Sequence, residues 1–267
     1  MAQLEARPAA EASLFAIQLR AVLMLLRRDL VRFFRQRSRI VGALLQPLIF
    51  WLVIGSGLQG SFRMPSGPPI GYMQYFYPGT LVLVVLFTSI FTTMSVIEDR
   101  QRGFLQAVLT APVARPSLVL GKSLGSVTIA MLQAALFMLL SPLAGFSIST
   151  INFPLLALAL AMIGLALSSV GFAIAWWLNS TQGYHVLMTV LLIPAWILSG
   201  AMFPLEGARS WLRLLMTWNP LAYGVELVRA ALHGSAGLAT SSLHLGVVAV
   251  FAAAAVALAS AVCGRRS

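Results

Sequence analysis

The sequence predicts an all-α integral membrane protein: six transmembrane helices preceded by an N-terminal amphipathic interfacial helix, with short re-entrant or outer helices between spans five and six. Three observations predict it. Apolar residues make up 59% of the chain and charged residues only 9%, with mean hydropathy +0.89, whereas a soluble domain clothes its core with about a quarter charged residues. Apolar runs long enough to cross a ~30 Å hydrocarbon core as helices recur along the whole chain. Eight of the eighteen basic residues fall in the first 39 positions and most of the others flank apolar runs. A net charge of +11 spread in this way suits an anionic inner leaflet and excludes the exposed basic stripe of a nucleic-acid binder.

Residues 1–12 are rich in Ala, Pro and Glu and are expected to be disordered. The apolar stretch that follows has no small-residue cleavage pattern, so no secretory leader is expected. From Leu14 to Arg39 the pattern is helical and two-faced. Phe15, Leu19, Val22, Leu26, Leu30 and Phe33 form one stripe, and Arg28, Arg32, Arg35 and Arg39 form the opposite one. A basic amphipathic helix of this kind lies in the membrane interface, with its arginine stems reaching the phosphates. Asp29 falls near the apolar edge, where pairing with an adjacent arginine is expected. Residues 1–39 are thus expected as a cytoplasmic N-terminus, and 40–267 as the six-span domain.

The spans are predicted at Ile40–Leu58, Tyr77–Ile97, Leu124–Phe146, Pro154–Leu178, Tyr184–Phe203 and Leu243–Cys263. Gln59–Gly71, rich in Gly, Pro and Ser, reads as a turn-filled loop. Fourteen basic residues lie on the side of the termini and the second-to-third connection, against four on the other side. Positive-inside bias therefore predicts a multi-pass membrane protein with both termini in the cytoplasm. In the connection from Pro204 to Ser242, Trp211, Leu215 and Trp218 share one helical face, and Leu221, Val225, Val228 and Leu232 share another. Two short helices at the outer interface follow from that. The fourth span carries small residues along one face, Ala157, Ala161, Gly164, Ser168, Gly171 and Ala175, as helices do where their backbones approach closely.

The chemistry-bearing patterns mostly exclude functions. Pro116 stands where a phosphate-binding loop before Gly121-Lys122-Ser123 needs glycine, so the chain does not bind nucleotide by that motif. His185, His233 and His244 have no metal-ligand spacing, and the single cysteine, Cys263, allows no internal disulfide. The seven carboxylates lie outside the middles of the apolar runs, which argues against an ion-driven carrier and against an intramembrane enzyme. Hydroxyls do recur within spans. Thr88, Thr92 and Ser95 share a face of the second span, and the fifth carries Thr189, Pro194 and Ser199. These are candidate pathway residues, with bonding to their own helix backbone as the competing role. One mixed-charge segment interrupts the apolar pattern between spans two and three: Glu98-Asp99-Arg100-Gln101-Arg102-Gly103-Phe104-Leu105, continuing through Pro112 to Lys122. A helix over Arg100–Leu109, ended by Pro112, is predicted there.

That segment, with Leu109-Thr110-Ala111-Pro112-Val113, Arg115 and Leu120-Gly121-Lys122, resembles the cytoplasmic elbow of ABC-2 type transporter permeases. Leu198-Ser199-Gly200, Phe203-Pro204-Leu205, Trp211-Leu212, Asn219-Pro220-Leu221-Ala222-Tyr223 and Arg229 resemble, in order and spacing, the fifth span and outer re-entrant region of the same family. The resemblance implies a permease subunit of an ATP-driven exporter, paired with two copies of a separately encoded ATP-binding subunit and with a second permease copy or a paralogue, among membrane lipids and with no nucleic acid. ATP and Mg would sit on that partner, leaving this chain with no cofactor, metal or catalytic residue. Glu98, Asp99, Arg100, Arg102, Gly103, Phe104, Leu105 and Pro112 would couple it to the ATPase (segment about 98–112), with the N-terminal helix beside them. The uncharged spans favour amphipathic small molecules, drugs or lipids as cargo. Lipid-linked polysaccharide or glycolipid is the alternative, and a non-transport scaffold or enzyme a remoter one.

Overall fold

The structure, a computed structural model, describes residues 2–62, 70–111, 113–234 and 238–265. Among these residues eleven α-helices follow one another: α1 Ala2–Arg35, α2 Arg37–Leu58, α3 Tyr72–Thr93, α4 Ser95–Gln101, α5 Phe104–Thr110, α6 Arg115–Met138, α7 Phe153–Trp177, α8 Thr181–Trp196, α9 Ser210–Trp218, α10 Pro220–His233 and α11 Leu238–Arg265. Among the described residues six helical stretches are long and apolar enough to cross a membrane: Ile40–Leu58, Tyr72–Gln101, Arg115–Met138, Phe153–Trp177, Thr181–Ala201 and Ser241–Gly264.

Three expectations are corrected. The stretch 1–12 is helical from Ala2 onward, because alanine and glutamate are strong helix formers. The helix expected to reach Arg39 ends at Arg35, and the chain breaks at Gln36 (φ −104°, ψ 72°) before α2 begins, so Arg39 belongs to the first turn of α2. The third span runs Arg115–Met138 rather than Leu124–Phe146. Pro116 in its first turn suits a helix start, and Lys122, which the predicted span left out, is buried.

The core sits around α3, buried along almost its whole length from Tyr72 to Ile90. It packs against α2, α6 and α7, while α7 packs in turn against α6, α10 and α11. Hydroxyls knit this core together in place of charges. Thr88 bonds Gln133, Thr92 and Ser126 approach to 2.5 Å, and the Ser168 hydroxyl lies 2.8 Å from that of Ser126 and 3.4 Å from that of Ser89. Thr93 reaches Tyr184 on α8 at 2.5 Å. Bonds of this kind between helices in lipid contribute about 0.6–2 kcal/mol each. In the small-residue stripe of α7, Gly164, Ser168, Gly171 and Ala175 are buried within the subunit, and Ala157 is exposed.

The two helices expected between spans five and six are α9 and α10. Trp211, Leu215 and Trp218 on α9 are exposed, whereas Leu221, Val225, Val228 and Leu232 on α10 are buried in the core. α8 passes into a π-helical turn, Ile197–Ala201, that ends around Gly200 at φ +77°. The Gly200 carbonyl there accepts from Tyr75 (2.8 Å) and Arg229 (3.1 Å).

Candidate functional site

The segment between spans two and three is an elbow of two short helices, not the single helix predicted. α4 continues the line of α3, and α5 sets off in a new direction after a break at Arg102-Gly103. Gly103 adopts φ +75°, a left-handed conformation that costs a residue with a Cβ about 1–2 kcal/mol. No heavy atom lies within 4 Å of where that Cβ would stand. Gly103 therefore makes the bend and is not there for close packing.

The two ends of the elbow meet different neighbours. Asp99 on α4 is fully buried and is the hub of an ion cluster. Arg28 of α1 grips it with both guanidinium nitrogens at 2.7 and 2.6 Å, Arg32 donates at 3.0 Å, and Lys122 of α6 donates at 2.6 Å. Lys122 also reaches Asp29 at 2.9 Å and Ser95 at 3.4 Å. Arg32 bonds Glu98 as well, and Arg28 lies 3.6 Å from the centre of the Phe104 ring. Three cations thus face three carboxylates drawn from α1, α4 and α6. Taking one partner from such a buried set costs about 3–5 kcal/mol, because the others are left uncompensated. Burial pushes the Asp29 carboxyl up from its ordinary value, with the Lys122 charge and hydrogen bond opposing it. The hydrogen bond to Asp99 raises the Arg28 guanidinium further and keeps it charged.

Arg100 and Gln101 turn the other way. Arg100 donates to the carbonyls of Trp176 (2.6 Å) and Leu178, and Gln101 to Asn179 (2.9 Å). A cation here answers the unsatisfied carbonyls and the negative dipole end of α7. The elbow is therefore bonded to the fourth span on one side and, through Asp99, to α1 and the third span on the other. Arg102, Thr110 and Ala111 are left exposed, Gly103 and Phe104 are half-buried, and Leu105 is buried. Pro112 and the side chain of Arg39 lie outside the described residues.

Two determinants were missed in the sequence, and both had a signal there. Lys122 heads an apolar run, and a cation in such a place needs a carboxylate. Gly121 and Gly125 are four residues apart on α6, the small-xxx-small spacing of close helix pairs. A Cβ at Gly121 would stand 3.2 Å from the Val22 Cα, and one at Gly125 would stand 3.5 Å from the Leu26 Cα. These two positions seat α1 and bring Arg28, Asp29 and Arg32 to the elbow.

The hydroxyls singled out in the second span all face protein. Thr88 is buried against Gln133, Thr92 is half-buried against Ser126, and Ser95 is buried beside Lys122. On α8, Thr189 is half-buried with no hydrogen-bond partner among the described residues and Pro194 is exposed, while Ser199 in the π-helical turn is buried and donates to Trp196. A cavity of about 480 Å³ does open between α3 and α8, lined by Phe91, Met94, Thr181, Gln182, His185 and Val186. Phe91 stacks on His185 there at 5.7 Å. Among the described residues no group of His, Cys, Asp or Glu could hold a metal ion.

An elbow joining six apolar spans is the frame onto which known proteins map. The model of the ABC-2 type transporter family matches residues 20–233. The chain belongs to the ABC-2 type transporter family. It is similar to a ycf38 protein of Cyanophora paradoxa, classed by name as a transport permease, at 27% identity over 86% of this chain and 80% of the relative. The daunorubicin resistance ABC transporter permease protein DrrB1 of Streptomyces coeruleorubidus is 25% identical over 87% of this chain and 83% of its own. Nodulation protein J of Rhizobium leguminosarum bv. viciae is 24% identical over 86% and 88%. As an ABC-2 permease the chain is a multi-pass membrane component of a transporter and not itself catalytic.

Proposed function

We propose that this permease is the transmembrane subunit of an ATP-driven exporter that moves amphipathic small molecules, drugs or lipids out of the cytoplasm or inner leaflet of a bacterial inner membrane. It works with two copies of an ATP-binding subunit, which hold ATP and Mg, and with a second permease copy or a paralogue. Both termini are cytoplasmic, and α1 lies along the membrane interface. The observation that carries this reading is the bonding of the elbow. A push on its exposed bend at Arg102-Gly103 is transmitted through α4 directly to α3, through Arg100 to α7, and through Asp99 to Lys122 of α6. Three spans then respond to one contact, as ATP-biased switching between two arrangements requires. The drug-resistance name of one relative and the apolar cavity between α3 and α8 support the cargo class.

The test uses the chain reconstituted with its ATPase in proteoliposomes. Gly103→Asp at the bend and Ala111→Glu on the exposed end of α5 are expected to abolish both stimulated ATP hydrolysis and dye export while insertion stays normal. Full stimulation in both variants would remove the elbow from the coupling path. Export of a lipid-linked glycan in place of the dye would move the cargo to the polysaccharide class.

A further inference from the structure

Beside the ion cluster, where α1 ends and the elbow bends, lies a cavity of about 380 Å³ lined by Arg28, Val31, Arg32, Arg35, Gln36 and Arg102. Arg28 and Arg32 are committed to Asp99 and Glu98 on its inner side. Arg35 and Arg102 are not: each is exposed, and neither has an acidic partner among the described residues. Both line this one cavity, Arg35 from the last turn of α1 and Arg102 from the bend of the elbow. Converging cations are unfavourable with nothing between them, and an anion bridging them reverses the sign. Gln36, at the break between α1 and α2, buries an Oε1 that finds no donor among the described residues. A hydroxyl-bearing ligand would satisfy that acceptor. The surrounding surface is apolar, with Val31, Phe34 and Met24 exposed on α1, and Ile40, where the first candidate span begins, lies four residues beyond Gln36.

We propose that this cavity is a discrete binding site for the headgroup of an anionic phospholipid carrying hydroxyls, phosphatidylglycerol in chemical class. Arg35 and Arg102 bridge its phosphate as charge-assisted donors, Gln36 accepts from its glycerol hydroxyl, and the acyl chains lie along the exposed apolar face of α1. The lipid ties the end of α1 to the bend of the elbow. This goes beyond a diffuse attraction of basic residues to an anionic surface, because it assigns the effect to two arginines and not to their neighbours. It rests on the reading that α1 lies at the cytoplasmic interface.

The full chain is reconstituted without any ATPase in nanodiscs of equal parts phosphatidylcholine and phosphatidylglycerol, and co-purifying lipid is read by native mass spectrometry. Arg35→Gln and Arg102→Gln are each expected to lower phosphatidylglycerol retention about fivefold, and the pair more. Arg27→Gln, an exposed charge on the same helix that does not line the cavity, should leave retention unchanged. Equal loss in Arg27→Gln would reduce the effect to surface charge and overturn the site. Protection by inorganic phosphate in pure phosphatidylcholine discs as strong as that by phosphatidylglycerol would assign the cavity to a free anion. Wild-type retention in the double variant would end the proposal. Thiol labelling at Arg35→Cys in a Cys263→Ala chain checks the interfacial position separately, so a failure of topology is not mistaken for a failure of binding.

Discussion

Asp29 has two opposed demands on its carboxylate. Burial raises its pKa above the ordinary 3.8, and Lys122 works against that rise. A carboxyl whose folded pKa exceeds its unfolded one contributes stability that is fully present below the unfolded value and is lost as pH rises through the folded one. Asp29→Asn, which keeps the shape of the protonated acid, should therefore gain on the wild type in thermal stability as pH is raised from 3.8 upward. Unfolding of nanodisc-held protein followed across that window measures it. A wild type that gains on the variant instead would show that Lys122 outweighs burial. The sequence marked Asp29 as a misfit on its helix and pointed to an adjacent arginine, which it does meet, but not to its nearer cation. Arg28 stands at 4.0 Å from it, Lys122 at 2.9 Å. Helical spacing relates near neighbours and is blind to a cation brought in by another helix.

At the scale of elements, the spans were legible because twenty apolar residues have few alternatives to a membrane helix. Their ends were less so where a charge is neutralised by tertiary contact, as at Lys122 in α6. The bend at Gly103 was partly legible: a glycine inside a predicted helix signals a break, but only the fold reveals that φ there is +75°. The seating of α1 on α6 carries the next prediction. Gly121→Val drives a branched side chain against Leu25 Cβ, 3.1 Å from the new Cβ, and against the Val22 backbone. A loss of about 1–3 kcal/mol follows, with faster amide exchange along α1. Gly246→Ala in α11, where no heavy atom lies within 4 Å of the new Cβ, should be neutral or slightly stabilising. Equal effects of the two would mean that α1 does not depend on close approach to α6.

Taken as a whole, the subunit is tight at α3 and open at its edges. α2, α8 and α11 leave large apolar side chains such as Val53, Val190 and Val250 exposed, faces that lipid or a second permease copy would cover. Composition foretold membrane burial but not which faces stay uncovered, since that depends on which helices neighbour each other. The same arrangement sharpens the pathway prediction. Thr92 packs against Ser126 of α6 and Ser199 is buried, so a small polar thiol reagent reaches cysteines there readily only after the spans separate. In a Cys263→Ala background, Thr92→Cys and Ser199→Cys should be modified with ATP and the partner ATPase present and be spared without them. Inertness in every nucleotide state would keep these faces within the static core.

The ion cluster also imposes a chronology. Asp29 leaves the ribosome before its closest cation, Lys122, which lies 93 residues further along the chain. At ordinary rates of synthesis that interval is roughly ten seconds, during which α1 and the first two spans have been delivered while Asp29 and Asp99 share only Arg28 and Arg32. The N-terminal helix cannot take its final seat until α6 arrives with both the lysine and the two glycines that receive it. α1 is made before α6 and docks only after it, so the arrival of the third span completes the cluster.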